Sequence, residues 1–517
     1  MCSENEKSFN FLVRPRLGIL TIPILFFVFI TIISCSSSSK GVKKKGPLKE
    51  FINYLDKRIP NLMDIYDIPG AKIALVQKGE TVWTKAYGYA DLKNGRKMTT
   101  DTYCRVESIS KSVTAWGVMK LVEQGKIELD RPVGHYFKSW DFPESSFPTE
   151  NITVKQLLSQ TSGMPLGTIG VRYNPFEAKP TLKEILSKDA ILQKEPGKMF
   201  SYSNTGFNLL ELLIEEVTGR NFADYMQEEV LTPLGMHRSS FNWSETLEPP
   251  VPFGYDVKGD PIPVYVYPDK AAGGLFSTVG DIATFVCASM TDFSITGLEV
   301  LNTQNIQKLY TPEVELSGYY GLVFDAYGLG HFIELLPNRK KAVAHGGQGS
   351  GWMTHFHSVP ETGDGIVILT NSQRSWPFFA HILNDWAEWN NFPSVGMGVI
   401  VLGTKLLWVF IGFLFLIALW KGYRLGREIT YGQRNFESFS SNSRGVRLVQ
   451  MGLSLVLLLT LIWSLNQDYF FLNSVFPIAS PWLGISIFLM ALVLVFSALF
   501  PKTRTKPELK KSKSISM

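Results

Sequence analysis

Three apolar runs near the C-terminus, Val399–Trp420, Val446–Leu465 and Pro481–Phe500, constrain this chain more than any other feature. Each is about 20 residues long, the length an α-helix needs to cross the hydrocarbon layer of a bilayer. The charges around them are lopsided. Lys421, Arg424, Arg427, Arg434, Arg444 and Arg447 cluster between or at the edges of the first two runs, and Lys502, Arg504, Lys506, Lys510, Lys511 and Lys513 follow the third. Asn466–Ser480, between the second and third, holds neither lysine nor arginine. By the positive-inside rule the first loop and the tail are cytoplasmic, which leaves everything before Val399 on the outer side. The net charge of +5 and the mean hydropathy of +0.06 both trace to the apolar segments and their flanks. The basic excess therefore speaks for membrane topology and against nucleic acid.

The N-terminus leads to the same side. Leu17–Ser34 is an uninterrupted apolar run of 18 residues behind Arg14 and Arg16, and it ends at Cys35 before four serines. That pattern is similar to a bacterial lipoprotein signal, in which Cys35 becomes a lipidated N-terminus; an uncleaved signal anchor fits it equally. The expected organisation is a signal or anchor over 1–35, a lysine- and serine-rich linker over 36–47, a folded domain over 48–396, three spans over 397–500 and a basic cytoplasmic tail over 501–517. The four cysteines show no metal spacing, and Cys104 and Cys287 read as buried thiols rather than a pair.

Within the domain, the pattern predicts a helix over Leu48–Leu62, then strands Ala71–Val76 and Thr81–Tyr89 around a turn at Lys78-Gly79-Glu80. Helices are expected from Ser108 to about Gly125 with a one-sided apolar face, over Ile152–Gln160, Asn204–Thr218 closed by Gly219, Phe222–Leu231, and Thr278–Ala288 capped by Ser277 or Thr278. Three strands follow, Lys341–His345, Trp352–Val359 and Gly365–Thr370. A hairpin, a helix-rich middle and three more strands make an α+β domain: an antiparallel sheet flanked by helices, with a helical insertion.

Chemistry enters with Ser108 and, three residues on, Lys111. At the start of a helix the serine hydroxyl meets the positive end of the dipole, and a lysine one turn later lies on the same face. A hydroxyl beside an amine that can take its proton is the minimum for acyl transfer through a covalent intermediate. The pattern alone is weak: Ser37–Lys40 repeats it inside the linker. Tyr202-Ser203-Asn204 precedes a helix; the phenol can relay a proton and the amide can hold a carbonyl, or Asn204 can be a plain helix cap. His345-Gly346-Gly347 follows a strand and lets a backbone approach closely, or is an ordinary turn.

Taken in this order, the three motifs resemble those of the serine β-lactamase and penicillin-binding-protein superfamily, most closely its class C-like branch with D-Ala-D-Ala carboxypeptidases, D-aminopeptidases and esterases. That family carries Ser-x-x-Lys, Tyr-x-Asn and Lys-Thr-Gly. Here they stand as Ser108–Lys111, Tyr202–Asn204 and His345–Gly347, with Gln156–Gly163, Pro233–Met236 and Ala272–Leu275 also familial in look. The resemblance covers roughly residues 50–390. It implies Ser108 as nucleophile and Lys111 as base, its amine kept neutral by apolar neighbours and a nearby cation. Tyr202 shares the proton traffic, Asn204 holds the substrate amide, and the N–H groups of Ser108 and Gln348 form the oxyanion hole, with His345 and Gly347 beside the substrate. No cofactor is implied.

His345 departs from the family's lysine. Histidine is mostly uncharged at neutral pH, which weakens a fixed charge for a substrate carboxylate. The expectation is therefore a membrane-anchored extracytoplasmic serine hydrolase of amides or esters, such as D-amino-acid-containing, cell-wall-derived peptides. A β-lactamase proper and a sensor that acylates without turnover are the alternatives. A zinc site on His345, His355 and His357 is the other reading weighed, and no carboxylate or cysteine cluster completes it.

Overall fold

The computed structural model describes Val42, Lys44 and residues 46–167, 171–438, 444–467 and 471–503. The N-terminal apolar run, Cys35 and the tail beyond residue 503 lie outside the described residues.

The domain is organised on a nine-stranded antiparallel sheet among the described residues. Its central strands are Gly70–Gln77, Asp364–Thr370, Trp352–Val359 and Lys341–Gly349, each hydrogen-bonded to the next. The first strand of the domain thus pairs with the last, Ile73 facing Ile368. The hairpin partner Glu80–Asp91 extends one side of the sheet, and Phe332–Leu335 with two short strands extends the other.

Side chains alternate across a strand, so this sheet feeds two cores. Ile73, Leu75, Ile366 and Ile368 pack on one face against the helices Leu48–Tyr66 and Trp376–Trp389. Those two helices are joined by a Phe51–Trp389 ring stack at 4.3 Å and an Arg58–Asp385 ion pair at 3.1 Å. Ala74, Val76, Val367 and Leu369 face the other way, toward the helical insertion and the helix Ile109–Glu123. That helix runs between the sheet and the insertion and is buried on nearly every side, from Ile109 to Met119 without a break. The expected single apolar face was too narrow a description: Ser110, Ser112 and Thr114 are also inside, their hydroxyls bonded to backbone at Leu275, Gly330 and Ala271.

Local signals were followed closely elsewhere. The helix Asn204–Thr218 ends at Gly219 in the left-handed conformation, and Thr278 caps Val279–Ala288 by accepting from Asp281 N–H. Val154–Leu158 is shorter than expected because a capping box of Thr153 and Gln156 starts it late. Phe222–Met226 passes into a wide turn over Gln227–Leu231. Cys104 and Cys287 are free and buried.

Three helices long and apolar enough to cross a membrane follow the domain: Gly398–Thr430, Arg444–Leu465 and Ala479–Leu499. The last packs against both others, with Ser454 Oγ donating to the Ala491 carbonyl at 3.0 Å. The first abuts the domain where Gly396 N–H donates to Glu334 at 2.8 Å. Between the second and third, the short helix Phe471–Val475 touches the domain itself.

The two-sided core makes a simple prediction. Ile368→Ala, at the fully buried centre of the sheet, is expected to cost about 2–5 kcal/mol in denaturant unfolding. Leu92→Ala, in an exposed turn, is expected to stay within about 0.5 kcal/mol.

Candidate active site

The site is built on a strained peptide. Glu107, directly before Ser108, has φ +51°, a left-handed conformation that costs a β-carbon-bearing residue energy. Its carboxylate is what holds it there. One oxygen accepts from Arg105 Nε at 2.9 Å and Tyr265 Oη at 2.9 Å, and the other accepts from Tyr267 Oη at 3.2 Å. Arg105 packs against both tyrosine rings and donates to the Tyr265 and Gly273 carbonyls. Arg105 and Glu107 are both buried, and removing one member of such a pair leaves an uncompensated charge.

This knot turns Ser108 into the N-cap of Ile109–Glu123, yet the Ser108 side chain makes no capping bond. Its hydroxyl is left for chemistry. Lys111 follows one turn later, fully buried. Its Nζ lies 3.2 Å from Ser108 Oγ, 2.7 Å from Asn204 Oδ1 and 2.8 Å from the Ala272 carbonyl oxygen. A neutral amine has two hydrogens and one lone pair. The two carbonyl acceptors take the hydrogens, so the lone pair is aimed at the Ser108 hydroxyl.

Burial lowers the Lys111 amine to about 7, against the opposing pull of Glu107 and Asp269. Desolvation is thus the whole cause. The nearby cation that the resemblance implies adds nothing to this shift, and His345 is itself uncharged. Burial, then Lys111, hold its imidazole well below the ordinary value. His345 Nδ1 is 2.8 Å from the Gly346 carbonyl oxygen, which can only accept, so that nitrogen carries the proton. Nε2 is then left to accept from Tyr327 Oη at 3.3 Å. Both nitrogens are engaged inside the protein, and the ring packs against the aromatic wall of Tyr327 and Phe332.

Tyr202 is half-buried, within hydrogen-bonding reach of Ser108, its ring packed against both Tyr320 and Phe332. Burial pushes its phenol well above the ordinary value, with Tyr327 adding to the shift. The phenol therefore stays protonated at neutral pH, suited to giving a proton rather than acting as a tyrosinate base. Asn204 is not the helix cap. Ser203 is, accepting from Gly206 N–H, and its extended backbone sends Tyr202 and Asn204 to the same side. Asn204 Oδ1 is committed to Lys111, leaving its amide N–H groups for a ligand.

A β-carbon at Gly347 would collide with the Val106 carbonyl oxygen and Thr354 Oγ1. The glycine lets the strand Lys341–Gly349 close on the backbone just before Glu107 and Ser108. Gln348, half-buried, comes next along that strand.

Two acids escaped the sequence reading. Glu107 gave no signal beyond its place next to Ser108. Glu211 did: it interrupts Leu209-Leu210-Glu211-Leu212-Leu213, a charge on a buried face. Its carboxylate accepts the N–H groups of Lys270 and Ala271 at 2.6 and 2.7 Å, which sets the loop whose Ala272 carbonyl grips Lys111. Burial raises it to about 8. The three histidines weighed for zinc are divided. His345 pairs with Phe356 across the strands, so it lies on the opposite sheet face from His355 and His357. Among the described residues no three metal-ligating side chains gather.

A helix-borne serine whose hydroxyl meets a buried amine, on an antiparallel sheet with a helical insertion, defines a serine β-lactamase-like or penicillin-binding-protein-like domain. The Beta-lactamase family model matches residues 55–386, and the chain belongs to that family. Protein flp of Staphylococcus aureus (strain N315) is 26% identical over 67% of this chain and 72% of its own length. Penicillin-binding protein 4* of Bacillus subtilis (strain 168) is 23% identical over 60% of this chain and 70% of its own. Among solved structures, the octameric penicillin-binding protein homologue from Pyrococcus abyssi superimposes with a TM-score of 0.53 at 29% identity, over 62% of this chain and 73% of that one. The penicillin-binding protein from Bacillus halodurans gives 0.50 at 26% identity, over 61% and 94%.

The buried amine has a signature in stability. Between about pH 7 and the ordinary lysine value near 10.5, the unfolded chain carries a proton on Lys111 that the folded chain lacks. Stability from this group therefore falls as pH drops through that window. The stability of Lys111→Met relative to wild type is expected to be higher at pH 7 than at pH 10, by about 1 kcal/mol or more in paired denaturant titrations.

Proposed function

We propose that this chain is a membrane-anchored extracytoplasmic serine hydrolase that works through an acyl-serine intermediate on an amide or ester, with peptides or esters containing D-amino acids as the substrate class. One observation carries the proposal: the Nζ of Lys111, fully buried and lowered by that burial to about 7, lies 3.2 Å from Ser108 Oγ.

In this reading Lys111 takes the Ser108 proton as Oγ attacks the substrate carbonyl. The Ser108 and Gln348 N–H groups receive the developing oxyanion, where a single donor is typically worth about 2.7–4 kcal/mol of barrier. Tyr202, kept protonated, passes a proton to the leaving group. The protonated Lys111 then returns its proton to Tyr202, so the amine is neutral again when water enters, takes the proton of that water as it attacks the acyl carbonyl, and passes it to Ser108 Oγ as the acyl bond breaks. Asn204 offers its amide N–H groups to the substrate while holding the lysine.

The neutral, internally bonded His345 bears on substrate choice. No imidazolium stands there for a carboxylate, which favours esters and peptide bonds whose recognition does not rest on that charge over β-lactams. A non-turnover sensor is the second reading. Relatives bearing the printed name penicillin-binding protein keep it in view, and turnover separates the two. The outer placement of the domain rests on the charge asymmetry around the three apolar helices. The substrates are then those outside the membrane, wall-derived peptides among them.

Labelling by fluorescent penicillin or a fluorophosphonate tests the nucleophile. Wild type is expected to label and Ser108→Ala to be blank; equal labelling of the two would sink the assignment. Many product molecules per serine on a panel of D-Ala-D-Ala peptides, short-chain esters and a chromogenic cephalosporin identify an enzyme, and one identifies a sensor.

The pH profile tests the base. Because the amine must be unprotonated, the acylation rate is expected to fall about tenfold per unit below about pH 7. Lys111→Met should lose about 10²–10⁴-fold and with it this acid limb. An acid limb that persists in Lys111→Met assigns the base elsewhere.

A further inference from the structure

The loop between the second and third membrane-spanning helices reaches the catalytic domain next to the proposed oxyanion donor. Its short helix, Phe471–Val475, places Ser474 fully inside the protein. Val475 joins the core beneath the sheet, with Phe476 and Ile478 packed against it. Ser474 Oγ donates to the Gln373 carbonyl at 2.5 Å and is the acceptor for Gln348 Nε2 at 3.5 Å. Gln373 continues the chain of contacts: its Nε2 donates to the Gly349 carbonyl at 2.9 Å, and its N–H donates to the Tyr255 carbonyl at 2.9 Å. One hydroxyl from the membrane bundle therefore grips the end of the strand Lys341–Gly349 twice. It holds the Gln348 side chain directly and the Gly349 carbonyl through Gln373. These two holds lie on either side of the Gln348–Gly349 peptide.

The same loop reaches the opposite wall of the cleft. Phe471 lies 6.3 Å from Tyr319, ring centre to ring centre. Tyr319 packs on Tyr320, and Tyr320 stacks on Tyr202. The segment behind them is fixed from the membrane side as well, since a β-carbon at Gly396 would strike the Val323 carbonyl oxygen.

We infer that Ser474 is a positioning residue for acyl transfer, through which the membrane bundle sets the Gln348 end of the oxyanion strand. This deepens the reading of Ser108 as nucleophile and rests on it. An oxyanion donor is effective only within a few tenths of an ångström of its place. A strand end that terminates at Ser350-Gly351 needs an external hold to keep that accuracy. Here the hold comes from the loop joining two membrane helices, so the three helices are part of the catalytic apparatus as well as its anchor.

The test uses the full chain in detergent or lipid vesicles. Ser474→Ala, Ser474→Thr and Gln373→Ala are compared with wild type for the rate of acylation by fluorescent penicillin, for kcat and KM on a short-chain ester, and for thermal midpoint. Ser474→Ala is expected to slow acylation and kcat about tenfold or more, less than loss of a direct donor, with KM within about twofold. Ser474→Thr, which keeps the hydroxyl, should recover to within about threefold. Gln373→Ala should resemble Ser474→Ala, and the double variant should be little worse than either, because both cut one chain of contacts.

Wild-type acylation in Ser474→Ala overturns the inference. So does a loss that Ser474→Thr fails to recover and that tracks a fallen thermal midpoint, which marks a packing role alone. Ser108→Ala runs alongside. If it labels like wild type, the nucleophile reading falls first. If it is blank while Ser474→Ala matches wild type, only the role of Ser474 falls.

Discussion

Desolvation of the Lys111 amine is the interaction on which the rest of the site depends. A lysine in water keeps its proton and is no base. Here the sheet, the helix Ile109–Glu123 and the insertion close around it, and burial alone outweighs two nearby carboxylates. The Asn204 and Ala272 carbonyls then orient the amine. Each has its own support: Ser203 caps the helix that carries Asn204, and Glu211 clamps the loop that carries Ala272. The domain thus spends stability to keep one nitrogen dry and aimed, a common trade at sites where strain and function coincide.

The strain at Glu107 belongs to the same logic. A left-handed Glu107 sets Ser108 at the start of the helix, and a buried arginine with two tyrosines holds that conformation. Since Gly347 and Gly349 both lack the β-carbon that would strike this peptide or its carboxylate, the sheet edge and the nucleophile turn are locked together by close packing. In the proposed mechanism, the Ser108 and Gln348 N–H groups can only be as well aligned as that seam.

What could be read from the chain beforehand divides by range. The hairpin at Lys78-Gly79, the helix Asn204–Thr218 with Gly219 and the three apolar helices follow from local rules, and the helix and its closing glycine came out residue for residue. Ser108, Lys111, Tyr202 and Asn204 were legible because their spacing carries the motif. Their surroundings were not. That Tyr327 and the Gly346 carbonyl engage both nitrogens of His345 has no signal in the sequence. Glu107, Glu211 and Ser474 act through partners far along the chain, and no periodicity reports those. The all-round burial of Ile109–Glu123 likewise reflects packing from two sides, which a count of one apolar stripe cannot detect.

The pairing of the domain's first strand with its last has a consequence for how the molecule is made. Ile73 meets Ile368 only after the whole insertion has been synthesised, so the contact order of the sheet is high and its closure is slow. The strand that closes it, Asp364–Thr370, is followed by the helix Trp376–Trp389 and only then by the apolar helix beginning at Gly398. Until Asp364–Thr370 has been made, the strand Gly70–Gln77 lacks one of its two neighbours. An incomplete sheet at that moment exposes the edges of Gly70–Gln77 and Trp352–Val359, the strands most open to mispairing.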